Sequence, residues 1–474
     1  MDRRAVLREL LATGPGKAGA ALLALLSLVS VYVVVTFPVD FGPARWSNPA
    51  LWADFPKAAP PAWTNLFTGA RRPAHQILEA REPREVTAAG PAQLQVYELP
   101  LSHFADAAPS FLSFSLSGVV YHSRAPTVTV ALMRPDGLEM TLYRTVVRGP
   151  RAGESAPYTR HAETPLRVLL GREAQAAESA ASTLSEAYDM RFTPAMLERQ
   201  LETALFGTPG QQQRFEALEG EYRIEVRIAT ADPEDEVGKV QVVSGGSVFG
   251  LMGTDALGRD LTQGLLFGLP IALLIGLATS TVSTAIGTLL GLTSGYIGGR
   301  TDLAIQRAAD IVANVPVLPL LIFLVFILGS QLWLILLILV AFSWPGLTIL
   351  VRSMVLQLRS SQEVEAARTL GASTGHIIFR HVFPHTAPYV FAQLIFFAPS
   401  AILAEAGLSF LGLGDPSLPT WGQILEHGFR TGAVFLGYWW WVVPPGVLIV
   451  VTAMTFMLLA LGMEPVVNPK LRKE

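Results

Sequence analysis

The stretch SQEVEAARTLGASTGHIIFRHVFPHTAPYV, residues 361 to 390, lies between two segments that are apolar enough to cross a bilayer. Residues 363 to 370 favour helix, and Gly371 stands where a helix commonly ends with positive φ. The serine and the threonine that follow can cap a second short helix, which would run until Pro384. The pattern predicts a polar helical hairpin inside an otherwise apolar region.

Two alanines, Ala366 and Ala367, give this hairpin a low-relief face that another protein can approach closely. An alanine-rich helix with a glycine at its end, a serine cap and a proline is also common in ordinary proteins. The function of the hairpin therefore depends on the rest of the sequence.

The composition indicates a membrane protein. Of 474 residues, 51% are hydrophobic and only 15% are charged, which is too apolar for an ordinary soluble chain of this length. The net charge of -3 gives no basic excess that would suggest nucleic acid. The sequence has no cysteine, which excludes disulfides, thiol catalysis and cysteine-ligated metal.

Apolar runs of about 20 residues, the length that crosses a bilayer, predict six transmembrane helices. We expect the first run to be an uncleaved anchor rather than a signal peptide, because it is long and no small-x-small site follows it. The predicted spans are 18–37, 268–293, 313–330, 332–351, 386–411 and 443–462.

The arginines and lysines predict that both termini are cytoplasmic, because short loops rich in these residues stay inside. With the N-terminus inside, the only basic residue in the short outer loops is Arg430. The residues that fall inside are Arg3, Arg4, Arg8, Lys17, Arg300, Arg307, Arg352, Arg359, Arg368, Arg380, Lys470, Arg472 and Lys473. The hairpin of residues 361–384 is then cytoplasmic.

The hairpin resembles the EAA motif in the permease subunits of ABC importers. The matching residues are Glu365, Ala366, Ala367, Arg368, Gly371, Ile377, Ile378 and Pro384. Two further segments resemble the dipeptide and oligopeptide branch: GTDALGRDL at 253–261 and LSFLGLGDPSLPTWGQIL at 408–425. Arg307, Asp310 and Pro316 also fit, so the resemblance covers about residues 250–474 and the first helix.

The resemblance implies a type I importer permease whose hairpin is a coupling helix. Its partners would be ABC ATPase subunits, a second permease subunit and an extracytoplasmic solute-binding protein. The sequence has no Gly-x4-Gly-Lys-Ser/Thr loop, so a separate subunit would bind ATP and this chain would need no cofactor. No catalytic triad elbow or His-Glu-x-x-His zinc motif is present either, so we predict no catalytic or metal site.

We expect the first signature segment to be a structural turn at the outer mouth. Its matching residues are Gly253, Thr254, Asp255, Gly258, Arg259 and Asp260. Two carboxylates are too few for a calcium site, and Asp255 or Thr254 could instead cap a helix that enters the membrane. The turn could also contact the substrate or the binding protein.

Glu405 lies within the fifth predicted span. A charged side chain at mid-bilayer costs about 2.5 to 3.5 kcal/mol, so we expect Glu405 to face the pathway or a partner. The alternative is a hydrated position near the outer end of the helix.

The segment between the first two spans predicts a strand-rich α+β domain outside the membrane. Alternating apolar residues at 221–229 predict a strand, residues 127–147 a hairpin turning at Arg134–Gly137, and about 172–206 a helical insertion. The prolines of residues 38–73 suggest an extended linker. The predicted divisions are 1–17, 18–37, 38–250, 251–264, 265–463 with the coupling loop 352–385, and 464–474.

A permease for dipeptides or oligopeptides in the inner or plasma membrane is the function that the resemblance implies. Nickel and oligosaccharide importers share this branch, and the sequence of the outer domain does not identify a ligand. A membrane receptor or sensor, whose outer domain binds a ligand, remains a second hypothesis of a different class.

Overall fold

A computed structural model describes residues 9–90, 92–210 and 214–467. The chain divides into two compact units: one is Ala50–Asp260, and the other consists of the chain up to Pro49 together with the chain from Leu261 onward. The basic residues predicted in the first eight positions and after residue 467 lie outside the described residues.

The unit that combines the chain up to Pro49 with the chain from Leu261 onward is here called the helical unit, and it contains most of the apolar sequence. Five of its described helices are long and apolar enough to cross a membrane, or up to six if one bent pair counts as a span. Its helices are α1 (Gly14–Thr36), α5 (Leu261–Ile297), α6 (Gly299–Asn314), α7 (Val317–Leu328), α8 (Leu332–Leu358), α9 (Gln362–Thr369), α10 (Thr374–Ile377), α11 (Phe383–Phe410), α12 (Trp421–Arg430) and α13 (Trp439–Val467).

The predicted span 313–330 is wrong as a single straight helix. Helices α6 and α7 meet at 75°, and α7 has 12 residues, which span only about 18 Å. The bend falls at Val315 and Pro316, where Val315 has the extended backbone that a following proline favours. The other five predicted spans each lie on one of the long apolar helices.

Glycines let α5 and α8 pack closely. Gly287, Gly291 and Gly295 recur every four residues along one face of α5. A Cβ at Gly291 would lie 2.7 Å from the Cβ of Val351, so a side chain there would push the helices apart. This contact holds α5 against the helix that leads to the hairpin.

The unit Ala50–Asp260, here called the inserted domain, is built from two five-stranded antiparallel sheets. One has strand order β1-β12-β4-β7 with β8 also paired to β4, and the other has order β2-β3-β11-β5-β6. The strands are β1 (Gln76–Ala80), β2 (Glu85–Ala89), β3 (Ala92–His103), β4 (Leu112–Tyr121), β5 (Thr127–Met133), β6 (Glu139–Val146), β7 (Tyr158–Arg160), β8 (Leu166–Leu169), β9 (Gly207–Pro209), β10 (Phe215–Ala217), β11 (Gly220–Thr230) and β12 (Glu236–Ser244).

The sequence patterns of this domain predicted its central strands correctly. Strand β11 buries every second side chain, because successive side chains of a strand point to opposite faces and one face of this sheet packs against the core. Its neighbours in the sheet are β3 and β5. Strands β5 and β6 form the predicted hairpin, which closes with a hydrogen bond from the Arg134 amide to the Leu138 carbonyl (2.9 Å).

The predicted helical insertion is confirmed and consists of three helices: α2 (Ala174–Tyr188), α3 (Pro194–Leu197) and α4 (Leu201–Leu205). Asp189 ends α2 in the left-handed conformation, with φ of 49°. The buried alanines and leucine of α2 pack into the same apolar core as the two sheets.

The prediction of an extended linker at 38–73 is wrong. The segment forms short helical turns at Phe41–Trp46, Pro49–Trp52 and Ala62–Leu66. Trp52 is only 1% exposed, so this part of the chain is packed rather than free. The compact domain begins at Ala50 and ends at Asp260, whereas the sequence suggested 38 and 250.

Candidate coupling loop and signature segments

The hairpin begins with α9, which ends as the glycine pattern predicted. Gly371 has φ of +81°. Its amide donates to the Arg368 carbonyl (3.0 Å), and the Ala372 amide donates to the Ala367 carbonyl (3.1 Å). These two bonds are the Schellman arrangement, in which a left-handed residue lets the last amides satisfy free carbonyls of the helix.

Helix α9 has an inner and an outer face. Val364 and Ala367, three residues apart, are buried in a cluster with Ile377, Ile378 and Val382. The prediction that Ala367 forms part of an exposed face is therefore wrong, because its methyl group packs inside the loop. The outer face carries Glu365, Ala366, Arg368 and Leu370.

Leu370 is the most exposed apolar side chain of this loop, at 87%. It lies four residues after Ala366, so the two side chains share one side of the helix. An exposed leucine beside an alanine forms a small apolar surface on this loop.

The second helix of the hairpin does not end at Pro384, contrary to the prediction. Ser373 caps α10 by accepting a bond from the His376 amide (3.4 Å), but the chain then continues through a π-helical turn, Ile378–Val382, into α11. In this turn the Phe383 amide donates to the Ile378 carbonyl, five residues back. Pro384 lies in the first turn of α11, where a missing amide proton costs little.

Glu363 joins the two ends of the hairpin. One carboxylate oxygen lies 2.8 Å from Nδ1 of His381, and the other lies 3.2 Å from Nε2 of His385. The hydrogen bonds from His381 and His385 lower the pKa of the Glu363 carboxyl below its usual value. The charge of Glu363 therefore ties α9 to the start of α11.

An ion pair next to this loop was not predicted from the sequence. Asp302 on α6 accepts two bonds from the guanidinium of Arg352 on α8, from Nε and Nη2, both at 2.6 Å. Ser294, near the end of α5, donates to the same carboxylate at 2.5 Å. Three helices thus meet at one carboxylate, and the only signal of this in the sequence is a charge near the end of an apolar run.

The predicted residues Arg307 and Asp310 lie on α6, with their side chains 3.8 Å apart and both largely exposed. Pro316 follows them at the break between α6 and α7. The structure therefore places all three on the bent helix pair, outside the hairpin.

The first signature segment folds as a closed turn within the inserted domain. Asp255, 1% exposed, accepts bonds from the amides of Leu257 and Arg259 (both 2.9 Å) and pairs with the Arg259 side chain at 2.5 Å. Both carboxylate oxygens are therefore occupied inside the turn, which agrees with a structural rather than a metal-binding role.

The signature segment also bonds with an earlier part of the chain. The Thr254 hydroxyl donates to the Pro56 carbonyl (2.7 Å) and accepts from the Ala59 amide (2.9 Å). The signature therefore binds the start of the inserted domain. Gly253 and Gly258 both have positive φ, and a Cβ at Gly258 would lie 2.9 Å from the Trp52 carbonyl oxygen.

The second signature segment packs within the helical unit. The indole nitrogen of Trp421 donates to the Leu265 carbonyl in the first turns of α5 (2.9 Å). A Cβ at Gly268 would lie 2.8 Å from the Pro419 carbonyl oxygen and 2.9 Å from the Trp421 ring, so this glycine makes room for the signature. Thr420 caps α12, a helix that the sequence analysis did not predict.

Glu405 lies on α11 and is only 4% exposed, so within this chain its side chain faces neither solvent nor an open surface. Ser409, one turn later, donates to its carboxylate at 2.7 Å. Thr420 also interacts with it. A buried acid is thus held between α11 and the second signature segment.

The family that matches residues 287–473 is described as the binding-protein-dependent transport system inner membrane component. The dipeptide transport system permease protein DppC of Bacillus subtilis (strain 168) is 34% identical over 222 residues, which are 47% of this chain and 69% of the relative. The oligopeptide transport system permease protein OppC of the same organism is 36% identical over 223 residues, 47% of this chain and 72% of the relative.

A solved structure of the MetNI methionine ABC transporter, in an inward-facing conformation, covers 45% of this chain and 98% of its own chain. The sequence identity is 18% and the TM-score is 0.36, a value from which no shared fold is inferred. The two permease relatives match about half of this chain, and the matching family model lies wholly in the helical unit.

Proposed function

This chain belongs to the family of binding-protein-dependent transport system inner membrane components, and on this premise we propose that it is the permease subunit of an ATP-driven importer of dipeptides or oligopeptides. It is a multi-pass membrane protein and a transport component. It forms part of the translocation pathway, while separate ATPase subunits bind and hydrolyse ATP. The names of the two Bacillus subtilis relatives support peptides as the cargo.

The observation that carries this proposal is the two-sided helix α9. Its inner side, Val364 and Ala367, fixes it to the π turn and to α11. Its outer side offers Ala366 and the 87% exposed Leu370. A short helix that is anchored on one side and presents a small exposed apolar patch on the other can transmit the movement of a docked ATPase into a membrane helix as a rigid body.

The topology that fits this role has both termini and the hairpin in the cytoplasm. We propose six spans, with the bent pair α6 and α7 serving as the third. The inserted domain then lies outside, where it can meet the solute-binding protein or a second permease subunit. Since the sequence has no cysteine, single cysteines at Thr87 and Thr369 would report opposite sides through a maleimide that does not cross membranes.

Copurification of ABC ATPase subunits with this permease from its native cells tests the coupling role. Ala366→Arg should leave permease levels normal, because Ala366 is exposed, but should lower ATPase binding and abolish uptake. Ala366→Ser, which keeps the side chain small, is the matched control and should retain both. Full ATPase binding and full uptake by Ala366→Arg would refute this docking face.

A further inference from the structure

The inserted domain contains an open cleft of about 690 Å³. Its lining comes from five separate stretches of the domain: residues 53–59, 110–111, 169–172, 198–202 and 246–247. Its volume lies in the range of clefts that hold small molecules. The transport role assigned to the helical unit does not use this cleft.

Charged side chains of both signs line the cleft. Lys57 and Arg172 are basic, and Glu198 and Glu202 are acidic, so the lining is neutral overall. In the described part of the chain, none of these four residues belongs to an ion pair. They are therefore available to pair with a ligand instead of each other.

Glu202 is the least exposed of the four. Burial raises the pKa of its carboxyl above the usual value, and the charge of Arg172 opposes that rise only in part. A partly buried carboxylate without a direct cationic partner gains from a positive group placed beside it. A ligand ammonium group would supply that charge.

A glycine makes room for this carboxylate. A Cβ built on Gly171 would overlap the carboxylate of Glu202, so any larger residue would force that carboxylate to shift. Gly171 is itself buried, and Arg172 follows it directly. The backbone thus brings one basic and one acidic group to the same side of the cleft.

Apolar side chains also line the cleft. Phe55 and Phe111 line the cleft, together with Leu169, which is 38% exposed. A ligand that carries both charges and an apolar side chain would match all three features of the lining.

We propose that this cleft binds a small zwitterion with an apolar side chain, the chemistry of a free amino acid or a short peptide with free termini. Lys57 and Arg172 would receive the carboxylate, Glu198 and Glu202 the ammonium group, and Phe55 and Phe111 the apolar part. The site belongs to the inserted domain, so it stands whether or not the hairpin docks an ATPase.

Binding of L-alanyl-L-phenylalanine to the purified full-length chain in detergent tests this proposal by calorimetry. We expect a dissociation constant in the millimolar range or tighter. N-acetyl-L-alanyl-L-phenylalanine lacks the ammonium group and L-alanyl-L-phenylalaninamide lacks the carboxylate, and each should bind at least tenfold more weakly. L-phenylalanine, with both charges on one residue, should bind if the cleft recognises free amino acids.

Variants locate the site. Glu202→Gln and Arg172→Gln should each weaken dipeptide binding at least tenfold. The controls are Glu178→Gln and Arg124→Gln, which change the same residue types outside the cleft and should bind normally. The variant Ala366→Arg should also bind normally, which separates this site from the coupling role.

The proposal is overturned if neither zwitterion binds, if the blocked peptides bind equally well, or if the cleft variants behave as their controls do. Glu202→Gln keeps the side-chain shape and Arg172 is exposed, so both variants should fold. A melting curve that matches the unsubstituted chain would confirm this for each.

Discussion

Asp302 and Arg352 form a bidentate ion pair that joins helix α6 to α8. Both nitrogen to oxygen distances are 2.6 Å. The guanidinium fork matches the two carboxylate oxygens, which a lysine ammonium group cannot do. Helix α8 leads directly toward the hairpin, so this pair fixes the base from which the hairpin extends.

We predict that Arg352→Lys lowers the stability of the purified permease by about 1 to 3 kcal/mol, since it removes a bidentate bond between charged groups. Thermal unfolding in detergent measures this change. Arg359→Lys is the control, because Arg359 has no ion pair among the described residues, and it should change stability by only about 0.5 kcal/mol. Equal melting of the two variants would contradict the role given to the pair.

A side chain at Gly371 should weaken coupling, because φ of +81° costs a residue with a Cβ about 1 to 2 kcal/mol. Gly371→Ala should therefore loosen the end of α9, and Gly371→Val should do so more strongly. Permease levels should stay normal while ATPase copurification and uptake fall.

Gly375→Ala is the matched control for that change. A Cβ at either glycine meets open space, but only Gly371 has positive φ. If Gly375→Ala and Gly371→Ala reduce ATPase binding equally, backbone strain is not the cause.

Glu405→Gln should assemble normally and alter transport. The amide keeps an oxygen that can accept the bond from Ser409, so packing is preserved, while the ionisable group is removed. Uptake of several peptides in cells measures the effect. If every peptide enters at the unsubstituted rate, the carboxylate has only a packing role, and the expected part of Glu405 in transport fails.

The bonds of Glu363 predict a pH dependence. Its pKa is lowered in the folded chain, so its contribution to stability is complete above the ordinary glutamate pKa of about 4.3 and is lost as the pH falls through the lower folded value. Hydrogen exchange of residues 361–385 should be faster in Glu363→Gln than in the unsubstituted chain at neutral pH.

The difference between those two proteins should disappear at a pH below the folded pKa, where the unsubstituted Glu363 is also neutral. The comparison at each pH removes effects of acid on the rest of the chain. An exchange difference that persists unchanged in acid would show that the bonds to His381 and His385 do not depend on the charge of Glu363.

The inserted domain should fold alone as residues 50–260. A fragment of residues 75–245 should also be soluble but less stable, because it lacks Trp52, which is 1% exposed, and the hydrogen bonds between Thr254 and residues 56 and 59. Thermal melts of the two fragments measure the difference. An unfolded longer fragment would mean that the helical unit completes this core.

Local patterns in the sequence determined much of this protein. The long apolar runs predicted five of the spanning helices, since a run of about 20 consecutive apolar residues is compatible with few structures other than a membrane-spanning helix. The glycine after α9 marked the end of that helix, and the alternation at 221–229 marked a buried strand. Each of these signals depends on residues close together in the chain.

The tertiary structure decided which side of each element is buried. Ala366 and Ala367 are equivalent in the sequence, yet only Ala367 packs against Ile377 and Val382, residues from the other arm of the hairpin. Thr254 forms hydrogen bonds with residues nearly 200 positions earlier in the chain. These outcomes depend on contacts between residues that are far apart in the chain. A local sequence pattern carries no information about the energies of such contacts.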